Sequence, residues 1–312
     1  MRIVEAEEAR QRLSMPVCLD LMRSALRELE VGNWTQPVRS IALLPGGEKF
    51  GFMPAYLGDC FGAKVLSAFP QNVGTAYPSH IGYVMLFEAE HGSFIGMADA
   101  SVITEIRTGA VSGVATDLLA RKDAHRLAVI GAGAQGRSHL AAMTAVRDIT
   151  QVRVYDKREE AAKRYCEEMS ALYQIPAIAA GSVKEAVEDA DIICTLTPSK
   201  EPYLKADWIA PGTHINAVGA FTPNAREVDS ALMAKAKLYA DQVEAMKKEC
   251  GEYLIPVQEG LFGEEHITGS IGGILAGTVP ARENETEITL FDALGLAVED
   301  VVCGRFLCRD DT

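Results

Sequence analysis

Positive charge is in short supply in this sequence. Its 30 lysines and arginines stand against 43 aspartates and glutamates, a formal net charge of −13. A chain this acidic repels nucleic acid and anionic membrane surfaces, so neither is expected as a partner. Long apolar runs are also missing. No segment approaches the ~20 residues that span a bilayer. The opening "MRIVEAEEAR" lacks the apolar stretch of a secretory signal. The seven cysteines (Cys18, Cys60, Cys166, Cys194, Cys250, Cys303, Cys308) are odd in number, scattered and free of any CxxC spacing. That pattern suits a reducing cytoplasm rather than a disulfide framework. The six histidines, at 80, 91, 125, 139, 214 and 266, are equally dispersed. With no HExxH and no paired Cys/His spacing, no protein-held metal is expected.

What is present is an ordinary globular composition, 48% hydrophobic and 23% charged over 312 residues, enough for two domains. "SMPVCLDLMRSALRELE", residues 14–30, reads as a helix with Ser14 as N-cap and Pro16 in the first turn. From Pro37 to Ala98, short apolar runs alternate with Gly, Pro and Asn turns, and "EAEHGSFIGMAD" reads as a hairpin turning at His91–Gly92. This half is expected to be α+β with a largely antiparallel sheet. Residues 101–120 follow as a long helix rich in small residues. From "RLAVIG" onward, strands alternate with helices, the rhythm of a doubly wound parallel sheet. The closing "ITLFDALGLAVEDVVCGRFL" carries Leu290, Leu294, Ala297, Val298 and Val301 at helical spacing, and is expected to return as a helix onto the first domain.

Two cations are out of place in this pattern. Lys64 lies in "DCFGAKVLSAF", which otherwise reads as a buried strand, on the same face as Gly62, Leu66 and Ala68. Arg107 follows Ile103 by four and precedes Ala110 by three, on the apolar stripe of its helix. A buried cation loses hydration, which costs several kcal/mol or shifts its pKa. Both have plain alternatives. Lys64, like Arg39, can bury its stem and snorkel its charge to solvent. Arg107 can pair structurally with a carboxylate such as Glu105 or Asp99.

"VIGAGAQG" sets Gly131, Gly133 and Gly136 in the GxGxxG spacing, after a strand and opening a helix. A second strand ends in Asp156, 20 residues past Gly136. This context is the dinucleotide fingerprint. Gly131 permits the turn, Gly133 lets a pyrophosphate approach the backbone, and Gly136 lets helix and strand pack closely. The helix N-terminus offers N–H groups to phosphate. Asp156 is placed to accept from the adenosine ribose hydroxyls, which favours NAD(H). Lys157 and Arg158 follow it and can instead take the 2′-phosphate of NADP(H), or form a solvated charge cluster. Thr195 and Thr197 end the strand "DIICTLT", where this fold opens its ligand crevice; simple strand-end hydrogen bonding is the alternative.

These residues carry a resemblance. Through "FMPAY", "GAKVLSAFPQN", "YPSHIGYVMLFEAEHG", "ITEIRTGAVSGVA", "VIGAGAQGRSH", "GSVKEAVEDADII", "HINAVGAFTPNAREVD" and "ITLFDALGLAVED", the chain resembles the ornithine cyclodeaminase/mu-crystallin family nearly end to end. The resemblance implies a homodimer. Each chain would have a Rossmann NAD(P) domain at 119–289 and a discontinuous α+β substrate/dimerisation domain at 1–118, completed by a C-terminal helix at 290–312. It implies that Arg39, Lys64 and Arg107 face the nicotinamide and hold the carboxylate of an amino or imino acid, with Lys64 also able to exchange a proton. Arg107 is implied to share in binding cofactor phosphate. Ser79, His80, Ala134, Gln135, Thr197, Pro198 and Val218 are implied to lie along NAD(P), and Glu249 to match a pocket position.

Two departures point to a branch. Ornithine cyclodeaminases carry a glutamate two residues before the Met-Pro, where this chain has Gly51. They carry an aspartate two residues after the glycine of "NAVG", where this chain has Phe221. Losing both acids argues against a diamine substrate. The expected activity is NAD(P)H-dependent reduction of the C=N bond of an α-imino acid or cyclic ketimine, in reverse an amino-acid dehydrogenation. A deaminating cyclisation with recycled NAD, and a small-ligand-binding protein under NADPH control, are the alternatives.

Overall fold

The computed structural model describes residues 1–72 and 75–309; residues 310–312 of the expected closing segment lie outside the described residues. The chain divides into two compact units, Met1–Arg107 with Gly295–Thr312, and Thr108–Leu294.

The first unit is built on six strands: β1 (Arg2–Val4), β2 (Ser40–Leu43), β3 (Lys49–Tyr56), β4 (Cys60–Ala68), β5 (His80–Glu88) and β6 (Phe94–Asp99). Their order is β1-β6-β5-β4-β3-β2. Every pairing is antiparallel except β1 with β6, so the sheet is mixed at one edge. Strand alternation separates two faces. Gly51, Met53 and Ala55 of β3 are buried while Phe50, Phe52 and Tyr56 are exposed. The helix Ala297–Cys308 packs against β3 to β6 and against the helix Met15–Glu30. The turn between β5 and β6 is closed by Glu88, whose carboxylate accepts from the backbone N–H groups of Glu90, His91 and Ser93. That turn carries the one trio of potential metal ligands among the described residues, Glu88, Glu90 and His91, on open surface.

The second unit holds an eight-stranded sheet: β7 (Arg126–Ile130), β8 (Gln151–Tyr155), β9 (Ala177–Ala179), β10 (Ile192–Thr195), β11 (His214–Ala217), β12 (Lys237–Ala240), β13 (Ile267–Ser270) and β14 (Thr289–Asp292). It is parallel throughout, in the order β13-β12-β14-β11-β10-β7-β8-β9. The chain order reverses between β7 and β10, which marks the crevice where open α/β sheets bind ligands. The fold is α/β, a Rossmann-type parallel sheet with a separate mixed-sheet unit. No helix among the described residues is long and apolar enough to cross a membrane.

One sequence expectation shifts. The segment from Leu290 is not one helix. Thr289–Asp292 forms β14, between β11 and β12, and the helix begins only at Ala297. Every residue from Ile288 to Gly304 is buried, so an all-round apolar run gave helical spacing without a helix. Gly295, at φ +79°, turns the chain between the two. Arg39 stands just before β2. Val183–Val187 forms a short helix, opened by Ser182 accepting from Glu185 N.

Two histidines belong to the core of the second unit. His139 lies between Gln135 O and Ser112 Oγ at 2.8 and 2.9 Å, and His214 between Thr289 Oγ1 and Asn216 Oδ1 at 2.9 and 3.3 Å. Burial pushes their pKa values down to about 4 and about 3. Their contribution to stability is complete above the unfolded value near 6.5. It is lost as pH falls through that value toward the folded ones, because the unfolded chain then binds protons that the native core refuses. Replacing His139 with Gln should flatten the pH dependence of the unfolding free energy between about pH 6 and pH 4.5 by up to ~1.4 kcal/mol per pH unit. Denaturant titrations across that range measure it, and an unchanged slope would mean that His139 titrates normally.

Candidate active site

Lys64 points to the helix-covered face of the first sheet, since its cross-strand partners Met53 and Val84 are buried there too. Its ammonium does not snorkel: the residue is 3% exposed. Nζ pairs with Asp300 Oδ2 at 2.7 Å and lies 3.5 Å from Thr104 Oγ1. Arg107, 6% exposed, reaches the same acid. Its Nε donates to Asp300 Oδ1 at 3.1 Å and its Nη1 to Glu299 Oε2 at 2.7 Å. Arg39, half-buried, donates through Nη2 to Gly295 O at 3.1 Å. All three expected cations therefore converge on the segment Gly295–Asp300.

Why this segment can receive them follows from its local structure. Glu299 and Asp300 stand in the first turn of the C-terminal helix, where the helix dipole favours negative charge. Glu299 Oε2 also accepts from Leu296 N at 3.1 Å, and Gln36 Oε1 accepts from Val298 N at 3.0 Å, so the helix start is tied down twice. A Cβ at Gly295 would come within 2.7 Å of Arg107 Nη1, so glycine there serves both the positive φ and the close guanidinium. Arg107 does pair with carboxylates, those of Glu299 and Asp300. Glu105 is bound to Arg10, and Asp99 accepts from Val102 N. Burial holds the Lys64 pKa below the usual lysine range and Arg107 adds to that, while Asp300 and Glu299 pull it back up.

The glycine turn lies at the carboxyl end of β7. Gly131 has φ +113°, and a Cβ there would meet Leu196 O at 2.8 Å. A Cβ on Gly136 would meet Gly131 O at 2.5 Å, which is the close helix–strand approach anticipated. Gly133 caps the helix Ala134–Val146 with open space where a Cβ would stand. Ala134 is exposed and Gln135 half-buried beside it. First-turn N–H groups at such a start have no intrahelical partner, and no side chain at the cap competes for them. Asp156, just past β8, accepts from Ala132 N at 3.0 Å and Arg158 N at 2.9 Å, one bond to each oxygen. A carboxylate oxygen has two lone pairs, so each keeps capacity for a hydroxyl. Lys157 and Arg158 are exposed, and Arg158 Nε lies 3.6 Å from Asp156 Oδ1. These residues fit a dinucleotide: a turn of glycines and alanines without bulky side chains for the pyrophosphate, and an acid for the ribose.

The other expected residues are divided between the two units. Thr197 and exposed Pro198 follow β10, and Val218 follows β11, both at the carboxyl edge of the same sheet. His80 starts β5 in the first unit and Ser79 precedes it, Ser79 Oγ 3.1 Å from His80 Nδ1. Burial, then Lys49, lowers the His80 pKa. Glu249 ends the helix Val243–Glu249. Sequence reasoning missed Glu299 and Asp300. The available signal was a pair of acids soon after a glycine at a helix start.

The fold and the glycine turn together define a dinucleotide-dependent oxidoreductase. The match to the ornithine cyclodeaminase/mu-crystallin family runs over residues 2–310. The solved structure of Thermococcus litoralis Delta(1)-pyrroline-2-carboxylate reductase with NADH and L-proline is 37% identical, with a TM-score of 0.95 over 99% of this chain and 96% of that one. An archaeal alanine dehydrogenase dimer with bound NAD is 34% identical, with a TM-score of 0.93 over 98% and 94%. The ketimine reductase mu-crystallin of Mus musculus is 35% identical over 97% of this chain and 95% of its own length. The chain belongs to the ornithine cyclodeaminase/mu-crystallin family, and NAD(P) is the cofactor at the level of that family.

Replacing Asp156 with Ser should weaken NADH binding by about 1–3 kcal/mol, the worth of hydrogen bonds to a charged acceptor. Fluorescence titration measures it, and an unchanged affinity would remove Asp156 from the ribose contact.

Proposed function

We propose that this chain is an NAD(P)H-dependent reductase of the C=N bond in an α-imino acid or cyclic ketimine, running in reverse as an amino-acid dehydrogenase. The observation that carries this reading is the apolar character of the two places where ornithine cyclodeaminases have acids. A side chain at Gly51 would start 3.1 Å from both Ile41 Cδ1 and Leu66 Cγ, and Phe221 offers a ring. Neither place offers a carboxylate to a second substrate ammonium. Two of the relatives named above are a Delta(1)-pyrroline-2-carboxylate reductase and an alanine dehydrogenase, and the substrates in those names share a carboxylate beside a carbon–nitrogen bond.

Arg39, Lys64 and Arg107 take the substrate carboxylate in this reading. Arg39 and Arg107 supply planar forks. Lys64, its pKa lowered by burial, gives up a proton more readily than an exposed lysine, and it or water supplies the proton to the imine nitrogen. When bound, the reduced nicotinamide supplies a hydride to the imine carbon, so the C=N bond becomes CH–NH. Holding the carboxylate fixes which carbon is presented, and such positioning contributes up to ~7–11 kcal/mol in well-oriented reactions. Asp156 favours NADH, because its charge opposes a 2′-phosphate; the solved relatives above hold NADH or NAD. The seven free, buried thiols fit a cytoplasmic setting.

A second copy of the chain is the partner this reading includes. Phe50, Phe52, Tyr56, Phe61 and Ile81 are 38–50% exposed on the sheet face away from the C-terminal helix. An open aromatic face of that kind marks an interaction surface, and the archaeal relative is a dimer.

The purified protein should oxidise NADH when given Delta(1)-pyrroline-2-carboxylate, forming proline one for one, and should sediment as a dimer. If neither that ketimine nor pyruvate with methylamine drives oxidation of NADH or NADPH, the reductase reading fails. Ammonia release from ornithine without net NADH change would establish the cyclodeaminase instead. Tight imino-acid binding without turnover would establish a binding protein.

A further inference from the structure

Glu227 is fully buried in the second unit and belongs to no strand or helix. Its carboxylate receives four hydrogen bonds. Thr197 N and Thr197 Oγ1 donate to Oε1 at 2.7 Å each, and Tyr203 OH donates to the same oxygen at 2.5 Å. Gly219 N donates to Oε2 at 2.8 Å. Thr197 follows β10 and Gly219 follows β11, the neighbouring strand on the far side of β10 from β7. One side chain thus ties together the two strand exits at the carboxyl edge of the sheet. A Cβ on Gly219 would collide with the Thr197 backbone, so the two exits are already at closest approach.

The tie is itself held in place. Tyr203 N and Leu204 N both donate to Glu227 O at 2.9 Å. Glu252, 1% exposed, accepts from Glu227 N at 2.5 Å and from Val228 N at 3.2 Å. An acid buried at this depth loses hydration, and it needs its hydrogen bonds to offset the loss.

We propose that Glu227 is a positioning residue for the dinucleotide, setting the two exits that carry Thr197–Pro198 and Val218–Gly219 without touching the cofactor itself. The proposal rests on the reading above that places the dinucleotide at this edge. Its chemistry requires an acceptor on both oxygens. A glutamine has one oxygen and one NH₂, so in either orientation its NH₂ faces a backbone N–H of Thr197 or Gly219. One exit is then released.

The glycine turn at β7 and Asp156 at β8 hold the adenosine and pyrophosphate end of such a cofactor, and Glu227 touches neither. This permits a test that separates positioning from folding. NADH and ADP-ribose are titrated into the wild-type protein and into Glu227→Gln, with melting temperatures measured alongside. The expected result is about tenfold weaker NADH binding with ADP-ribose affinity within twofold of wild type, the change expected for one lost charge-assisted hydrogen bond. Tyr203→Phe removes one donor and leaves the carboxylate. It should weaken NADH by about two- to threefold in the same pattern, and it serves if the glutamine variant does not fold. Equal NADH affinity in wild type and variants overturns the proposal. Parallel loss of both ligands with a fallen melting temperature also overturns it, because Glu227 is then structural only. Failure of the wild-type protein to bind NADH at all overturns the cofactor reading first, and the proposal with it.

Discussion

Two acids in the first turn of the C-terminal helix hold two buried cations, and the first unit is organised around that exchange. Lys64 comes from the middle of the sheet, Arg107 from a helix that follows the last strand, and Glu299 and Asp300 from almost 200 residues further along the chain. None of the four charges is tolerable alone at this depth. Removing one partner of a buried pair typically costs about 3–5 kcal/mol, because the other is left without compensation. The contacts therefore require the C-terminal helix to close the first unit, and they explain why a discontinuous chain forms one compact body. Arg39 joins through a backbone carbonyl, that of Gly295.

The neutrality of that cluster bears on the proposed chemistry. Lys64 and Arg107 lie among four charges that sum to zero, so a carboxylate bound as proposed would meet oriented donors instead of bare charges. Oriented, pre-paid donors cost little to arrange at the moment of reaction, whereas flexible surface lysines would have to be ordered each time. The second unit follows the same logic with different parts. Asp156 fixes the glycine turn through Ala132 N, and Glu227 fixes two strand exits through Thr197 and Gly219. In both units a buried acid organises the groups that surround a proposed ligand position.

Much of this was legible in the sequence, for identifiable reasons. The glycine turn was readable because each glycine answers a local demand: a positive φ at Gly131, an open cap at Gly133, a tight approach at Gly136. Lys64 and Arg107 stood out because strand and helix periods place them on apolar faces, and the structure buries both. Their partners were not legible. Glu299 and Asp300 look like ordinary first-turn acids, and nothing in a linear pattern says which distant cation they meet. The segment around Leu290 misled for a related reason, since a run buried on all sides carries no period to separate strand from helix. Glu227 gave no signal, because its four donors come from loops and strand exits whose meeting depends on the assembled sheet.

The claim on which the rest depends is that Lys64 and Asp300 form one energetic unit, and a double-mutant cycle tests it most directly. Unfolding free energies of the wild type, Lys64→Met, Asp300→Leu and the double variant give the coupling between the two positions. A coupling of about 3 kcal/mol, with the double variant much less impaired than the sum of the single ones, is the predicted result. Single-variant losses that add to within about 0.5 kcal/mol would contradict it, since that is the behaviour of side chains that do not interact.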